Sequence, residues 1–150
     1  MVWWTSVRRL ARSAARLTPG ERRAALRAGW WLCAAVVGVR VAGYEALRGL
    51  IERLPVRTTH ATLGADAYGK AIERAARVVP GTTCLAQALA AACMLRRDGV
   101  ASTLTIGVAV GERRSLEAHA WLDAADLRVT GARDEGELHV IVRDSIGARP

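Results

Sequence analysis

The chain has few cysteines, few prolines and no long hydrophobic run, and each shortage removes a class of protein. Its three cysteines, Cys33, Cys84 and Cys93, are odd in number and form no C-x-x-C pair. A closed disulfide framework and a tetrahedral zinc signature are therefore not expected, and a reduced, cytoplasmic setting fits best. With only four prolines and half its residues hydrophobic, the chain does not have the composition of a disordered tail. The longest apolar stretch, Ala28 to Val39, stops at Arg40, whereas a spanning helix needs about 20 apolar residues. No transmembrane helix is expected. The same stretch begins too far from Met1 for a secretory signal, so export is not expected either. Repeats, low-complexity segments and Gly-rich phosphate loops are missing as well.

What is present is one domain's worth of chain, 150 residues, with a formal net charge of +8. The charge is one-sided. Residues 1–57 carry eleven arginines against Glu21, Glu45 and Glu52, a net of +8, and residues 58–150 carry eleven cations against eleven acids, a net of zero. The reading is a basic helical segment, 1–57, packing on a balanced body, 58–150.

Val7, Leu10, Ala11, Ala14 and Leu17 recur at helical spacing and predict a short amphipathic helix over Val7 to Leu17. Thr18-Pro19-Gly20-Glu21 is a capping box with proline at the first helical position, so a second helix starts there. It is expected to bend near Gly38 or Gly43 and to stop by Leu54, the residue before a proline. Thr58 to Leu63 reads as a connection, Asp66 to Val78 as a helix, and Pro80-Gly81 as its end. Thr82 or Thr83 can cap a helix that opens at Cys84 and closes with Arg96, Arg97 and Gly99.

From Ala101 the period changes to two. Leu104, Ile106, Val108 and Val110 alternate with Thr103, Thr105, Gly107 and Ala109, which predicts a half-buried strand. A turn at Gly111 to Arg114 leads to a second strand, Leu116 to Asp123, with Glu117, His119 and Trp121 on one face and Ala118, Ala120 and Leu122 on the other. Ala125-Asp126 is a second turn, followed by strands at Arg128 to Thr130 and Leu138 to Val142. The fold class is α+β.

Cys84 falls in the first turn of its helix, where free backbone N–H groups and the positive dipole end favour a thiolate. Those N–H groups are also placed to hold an oxyanion. Against this stands the commoner fate of a free cysteine, a small buried hydrophobe. Cys93 and Cys33 lie in apolar helical runs, and for them that ordinary fate is expected. Of three histidines, His60 lies in a connection and His139 in the last strand. His119, on the second strand, is the candidate base. A carboxylate is needed to orient it, and Asp123, Asp126 and Asp134 are all open on position alone. Metal binding has little support, since only Glu117 and His119 share a tight spacing.

The tryptophan doublets Trp3-Trp4 and Trp30-Trp31 lie among arginines, which leaves a membrane surface or a protein partner open for residues 1–57. For each doublet the ordinary reading, one ring covering the core, is favoured. Nucleic acid ranks last, because the arginines are scattered around apolar helices with no binding motif.

Taken together, Pro80-Gly-Thr-Thr-Cys84-Leu-Ala-Gln-Ala-Leu89, then Leu95-Arg-Arg-Asp-Gly99-Val, then Ile106-Gly-Val108 and Ala118-His-Ala-Trp121 resemble one family. It is that of the lasso peptide leader peptidases, in the stand-alone form encoded apart from the leader-recognition protein. The resemblance runs in register over about Ile72 to Val142. It implies a transglutaminase-like, papain-like core in which a helix bearing the nucleophile, Cys84, packs on an antiparallel sheet that carries the base, His119. The family places its third residue, an acid, about a dozen residues beyond the histidine. Here Gly131 and Ala132 stand thereabouts, and Asp134 is the nearest carboxylate, so the expectation is a Cys84–His119–Asp134 triad or a Cys84–His119 dyad.

The implied activity is removal of the leader from a ribosomally made lasso precursor, which frees the core peptide's amine for a separate ATP-dependent cyclase. No cofactor is implied. The implied partners are the precursor's leader, a small winged-helix-like recognition protein and the lasso cyclase; the basic, Trp-bearing residues 1–57 are the expected docking segment for the recognition protein, the cyclase or an acidic part of the leader. Two other readings use the same residues: a non-catalytic binding module on this fold, and an acyl transferase acting on a glutamine side chain.

Overall fold

In the computed structural model, which describes residues 17–57, 64–110, 116–131 and 138–147, four helices precede four strands. They are α1 (Pro19–Val41), α2 (Gly43–Glu52), α3 (Ala65–Ala76), α4 (Cys84–Arg97), β1 (Ser102–Val110), β2 (Leu116–Ala124), β3 (Leu127–Thr130) and β4 (His139–Ile146). The strands form one sheet in the order β3-β2-β1-β4, with antiparallel neighbours throughout. The helices cover one face of it, which makes the fold α+β. The helix expected over Val7 to Leu17, the Thr58–Leu63 connection and the turn at Gly111 to Arg114 lie outside the described residues, apart from Leu17.

α1 starts where the capping box placed it. Thr18 Oγ1 accepts from Glu21 N–H and Glu21 Oε2 accepts from Thr18 N–H at 2.9 Å, so two helix-end donors are satisfied reciprocally. Those bonds from Thr18 favour the charged form and hold the Glu21 carboxyl below its ordinary pKa. The expected bend is a break. α1 ends at Val41, and α2 begins at Gly43 with φ +80°, a conformation that favours glycine. Gly38 lets α2 fold back, since a Cβ there would strike the Leu47 side chain.

α4 is the central helix. Thr83 caps it, accepting from Ala86 N–H at 3.2 Å, and Asp98 followed by Gly99 (φ +76°) closes it. Its residues from Ala88 to Leu95 are all buried, with the sheet below and α1 and α3 alongside. A helix buried nearly all round needs small residues where neighbours approach, and α4 supplies Ala86, Ala88, Ala90, Ala91 and Ala92. Leu32, Ile72, Leu89, Met94, Leu104 and Leu122 complete one continuous core. Thr83→Ala is expected to lower stability by about 1 kcal/mol through the lost cap, read from urea unfolding.

Asp98 also ties three helices together. Its carboxylate accepts from Arg27 Nη2 at 2.9 Å and from the Tyr68 hydroxyl at 2.8 Å. Burial and then the Asp98 contact raise the Tyr68 hydroxyl pKa above its ordinary value. Asp98→Ala is expected to cost about 2 kcal/mol, because the buried Tyr68 hydroxyl loses its acceptor while the partly exposed Arg27 returns to water. On the far side, the Tyr44 hydroxyl of α2 donates to Asp144 of β4.

The sheet departs from the half-buried strand expected for β1. Leu104 faces the helices at 0% exposure, yet Thr105 on the opposite face is also closed, at 1%. The reason lies on the neighbouring strands. The Trp121 ring lies across Gly107, close enough that a Cβ at Gly107 would touch it, and the Arg128 guanidinium stacks over the indole at 5.1 Å. Arg128 is held there by Asp123 at 2.6 Å. The hairpin turn falls at Ala125 (φ 48°) and Asp126 (φ 63°), as expected; paired positive φ values suit the right-handed twist of the flanking strands.

Candidate active site

The approach to Cys84 is a tight sequence of local bonds. Gly81 adopts φ +70°, the Thr82 hydroxyl donates to the Val79 carbonyl at 2.7 Å, and extended Thr83 caps α4. Cys84 is therefore the first residue of the helix. With Ala86 N–H on the Thr83 hydroxyl and Gln87 N–H on the Thr83 carbonyl, the Cys84 and Leu85 N–H groups have no partner among the described residues. Partner-free amides at a helix start favour negative charge, on the sulfur or on an oxygen beside it.

α4 runs along the sheet so that its first turn reaches the beginning of β2. Cys84 Sγ lies 3.9 Å from the Ala118 carbonyl oxygen. That oxygen shares a peptide plane with the nitrogen and Cα of His119, so the sulfur is one peptide unit from the histidine's backbone. The His119 side chain is about half exposed, and its Nε2 lies 3.9 Å from Glu117 Oε2. Sγ and the imidazole are not hydrogen-bonded to each other. The structure thus brings together the strand and helix carrying these two residues but not their side chains: strand alternation sets His119 with Trp121 on the face of the sheet away from the helices, while Cys84 lies at the start of α4.

A cleft of about 480 Å³ opens beside Cys84. α3 contributes Asp66, Gly69, Lys70 and Glu73, α4 contributes Cys84 and Gln87, and β3 with its following residue contributes Arg128 to Gly131. Two glycines shape it. A Cβ at Gly69 would fall on the Val129 carbonyl oxygen, so α3 and β3 approach to backbone contact. Gly131, at φ +98°, packs against Trp121 and the Ala120 carbonyl. The cleft walls are charged: Lys70 pairs with Asp66, and Glu73 lies one turn further along α3. The Thr130 hydroxyl is buried in the wall with no hydrogen-bond partner among the described residues.

The remaining candidates are placed as follows. Cys93 is buried as expected, and that burial pushes its thiol up to about 12, which keeps it protonated and unreactive. Cys33 is a correction, because it is exposed: it sits on the outer flank of α1, on the side away from the core-facing Ala24, Ala28 and Ala35. Of the doublet Trp30-Trp31, Trp31 packs on the core and Trp30 is exposed, one ring in and one out. Asp123 is engaged by Arg128, Asp126 is in the hairpin turn, and His139 is exposed at the start of β4. Asp134, His60 and Trp3-Trp4 lie outside the described residues. Among the described residues no three His, Cys, Asp or Glu side chains are grouped to hold a metal ion.

From sequence alone Glu117 enters only as a metal ligand, and Gln87, Arg128 and Thr130 carry no role. Strand alternation puts Glu117 on the face of His119, and the helical period puts Gln87 on the flank of Cys84. For Arg128 and Thr130 nothing local signalled the cleft, since β3 reaches it only through the hairpin.

A thiol at a helix start, packed against the opening of an antiparallel strand and facing a cleft, defines a class of α+β folds with cysteine-centred chemistry. Residues 29–143 match the Transglutaminase-like superfamily, and the chain belongs to it. No curated protein and no solved structure matches the chain. The match begins inside α1, so α2 and most of α1 belong to the family's own fold.

Proposed function

We propose that this protein is a cysteine peptidase that removes the leader from a ribosomally made lasso precursor peptide, with Cys84 as nucleophile and His119 as base. The observation that carries the reading is Cys84 at the start of α4, lining the cleft, with its sulfur one peptide unit from His119. The resemblance of Pro80 to Leu89 and of Ala118 to Trp121 to the leader peptidases supplies the substrate.

The chemistry follows from the parts. His119 takes the Cys84 proton, which requires the start of β2 to shift at the sheet edge so that the half-exposed imidazole leaves Glu117 and reaches the sulfur. The thiolate attacks the carbonyl carbon of the last leader residue, and the Cys84 and Leu85 amides hold the oxyanion. Collapse breaks the peptide C–N bond; His119 returns its proton to the leaving amine, and the leader remains as a thioester on Cys84. Water, deprotonated by His119, then releases the leader as a carboxylic acid and restores the thiol. The free amine is the group that a separate ATP-dependent cyclase acylates.

Asp134 is proposed to orient the imidazole, with Glu117 as the competing carboxylate because of its 3.9 Å contact. Asp134→Asn should lower kcat more than Glu117→Gln in a leader-cleavage assay; the reverse order assigns the role to Glu117. The basic residues 1–57 are proposed to dock the winged-helix-like recognition protein, the cyclase or an acidic part of the leader. A cytoplasmic location goes with this reading.

The test is the mass of the precursor after incubation with this protein and its recognition partner. Separate leader and core masses are expected. An unchanged precursor would support the non-catalytic module, and an ammonia-loss adduct the acyl transferase.

A further inference from the structure

α1 has more apolar surface than the fold uses. Its buried residues, Ala24, Ala28, Leu32, Ala35 and Val36, lie along one side at helical spacing. At about 100° per residue, Leu26, Trp30, Cys33, Val37 and Val41 fall within a single stripe on the opposite side. That stripe faces water: Leu26 is 76% exposed, Trp30 73%, Val37 60% and Val41 82%, and Cys33 is exposed with them. A surface helix of a globular protein is polar on its outer side; this one is apolar on both. Contiguous exposed apolar surface of this kind marks an interaction site.

The charges around the stripe indicate what covers it. By the same angles Arg22 and Arg40 border it on one side and Arg23 lies at its N-terminal end, while Arg27 on the other side is paired with Asp98. Residues 17–57 hold seven arginines against three glutamates. An apolar stripe with a central tryptophan and cationic borders matches the boundary of an anionic lipid layer, where rings and aliphatic groups enter the acyl region and guanidinium groups meet the headgroups. Pairing with a second copy would set two positive borders against each other. By length and composition α1 could also cross a membrane. Ala28 and Leu32, both 0% exposed, nevertheless tie its other side to the core. A helix held along one side lies flat.

We infer that α1 docks this protein on an anionic membrane surface through Leu26, Trp30, Cys33, Val37 and Val41. The inference does not depend on the chemistry of the cleft, which faces α3, α4 and β3.

The test uses the full chain and vesicles of phosphatidylglycerol mixed with phosphatidylcholine, with phosphatidylcholine alone as the control. Co-sedimentation is expected with the anionic vesicles, weakening as salt is raised. Trp30→Glu and Val37→Glu should each reduce it at least tenfold with unchanged thermal melting, since both side chains are exposed. Cys33 provides a second readout. A water-soluble maleimide should modify it in the free protein, located by peptide mass, and vesicles should protect it.

Failure to bind anionic vesicles, or equal binding by the variants, overturns the inference. So does a Cys33 that is already shielded without lipid, because another part of the chain or a second copy then covers the stripe; loss of a dimer in Trp30→Glu would identify the latter. Cys33 protection on adding the leader-recognition protein, without vesicle binding, would assign the face to that protein. None of these outcomes alters the leader-cleavage result.

Discussion

Cys84→Ala is expected to lower leader cleavage by more than about 1,000-fold while leaving the unfolding midpoint near that of the parent chain. The two effects separate because the thiol is only partly buried at the edge of a cleft, so removing it opens no core cavity. The reaction, by contrast, loses the atom that forms the acyl intermediate. Cys93→Ala provides the complementary result. That sulfur is enclosed in α4 and its raised pKa keeps it a thiol, so cleavage should persist. Rates from mass spectrometry of the precursor, alongside thermal melts, check all three proteins. Cleavage retained by Cys84→Ala would remove the peptidase proposal.

Gly69→Val is expected to destabilise the chain by about 3 kcal/mol, a drop of roughly 10 °C in melting temperature for a domain of this size. The cause is specific. The first atom of any side chain at position 69 meets the Val129 carbonyl oxygen, which is backbone and cannot rotate away. α3 must then move off β3, and both elements form walls of the cleft. Cleavage should fall together with stability, which distinguishes this variant from Cys84→Ala, where they part. Calorimetry and the same cleavage assay read the two effects. An unchanged melting temperature would mean that α3 and β3 do not approach as described.

Much of the local structure was legible because its causes are local. The Thr18–Glu21 capping box, a threonine cap at position 82 or 83, the glycine after α4 and the switch from a 3.6 to a 2.0 period each depend on residues within one or two turns. The helix start that makes Cys84 a nucleophile candidate was legible for the same reason. Errors arose where another element decides the environment. β1 reads as half-buried because its polar face alternates cleanly, and only pairing with β2 sets Trp121 opposite Thr105 and across Gly107, with Arg128 of β3 stacked on the ring. Cys33 read as core because its neighbours are apolar, but α1 has two apolar sides and the core takes the other one.

Position along the chain therefore specified where α1 and α4 begin, where the chain turns at Ala125-Asp126, and which residue types could do chemistry. It did so because capping, turn geometry and periodicity act over a few residues. The tertiary structure alone decided that Sγ of Cys84 meets the carbonyl of Ala118, 34 positions away, that Gly69 must be bare to admit Val129, and that Asp98 joins Arg27 to Tyr68. Such meetings follow from strand register and from which side of each helix is buried, and those are settled only when all the elements pack at once.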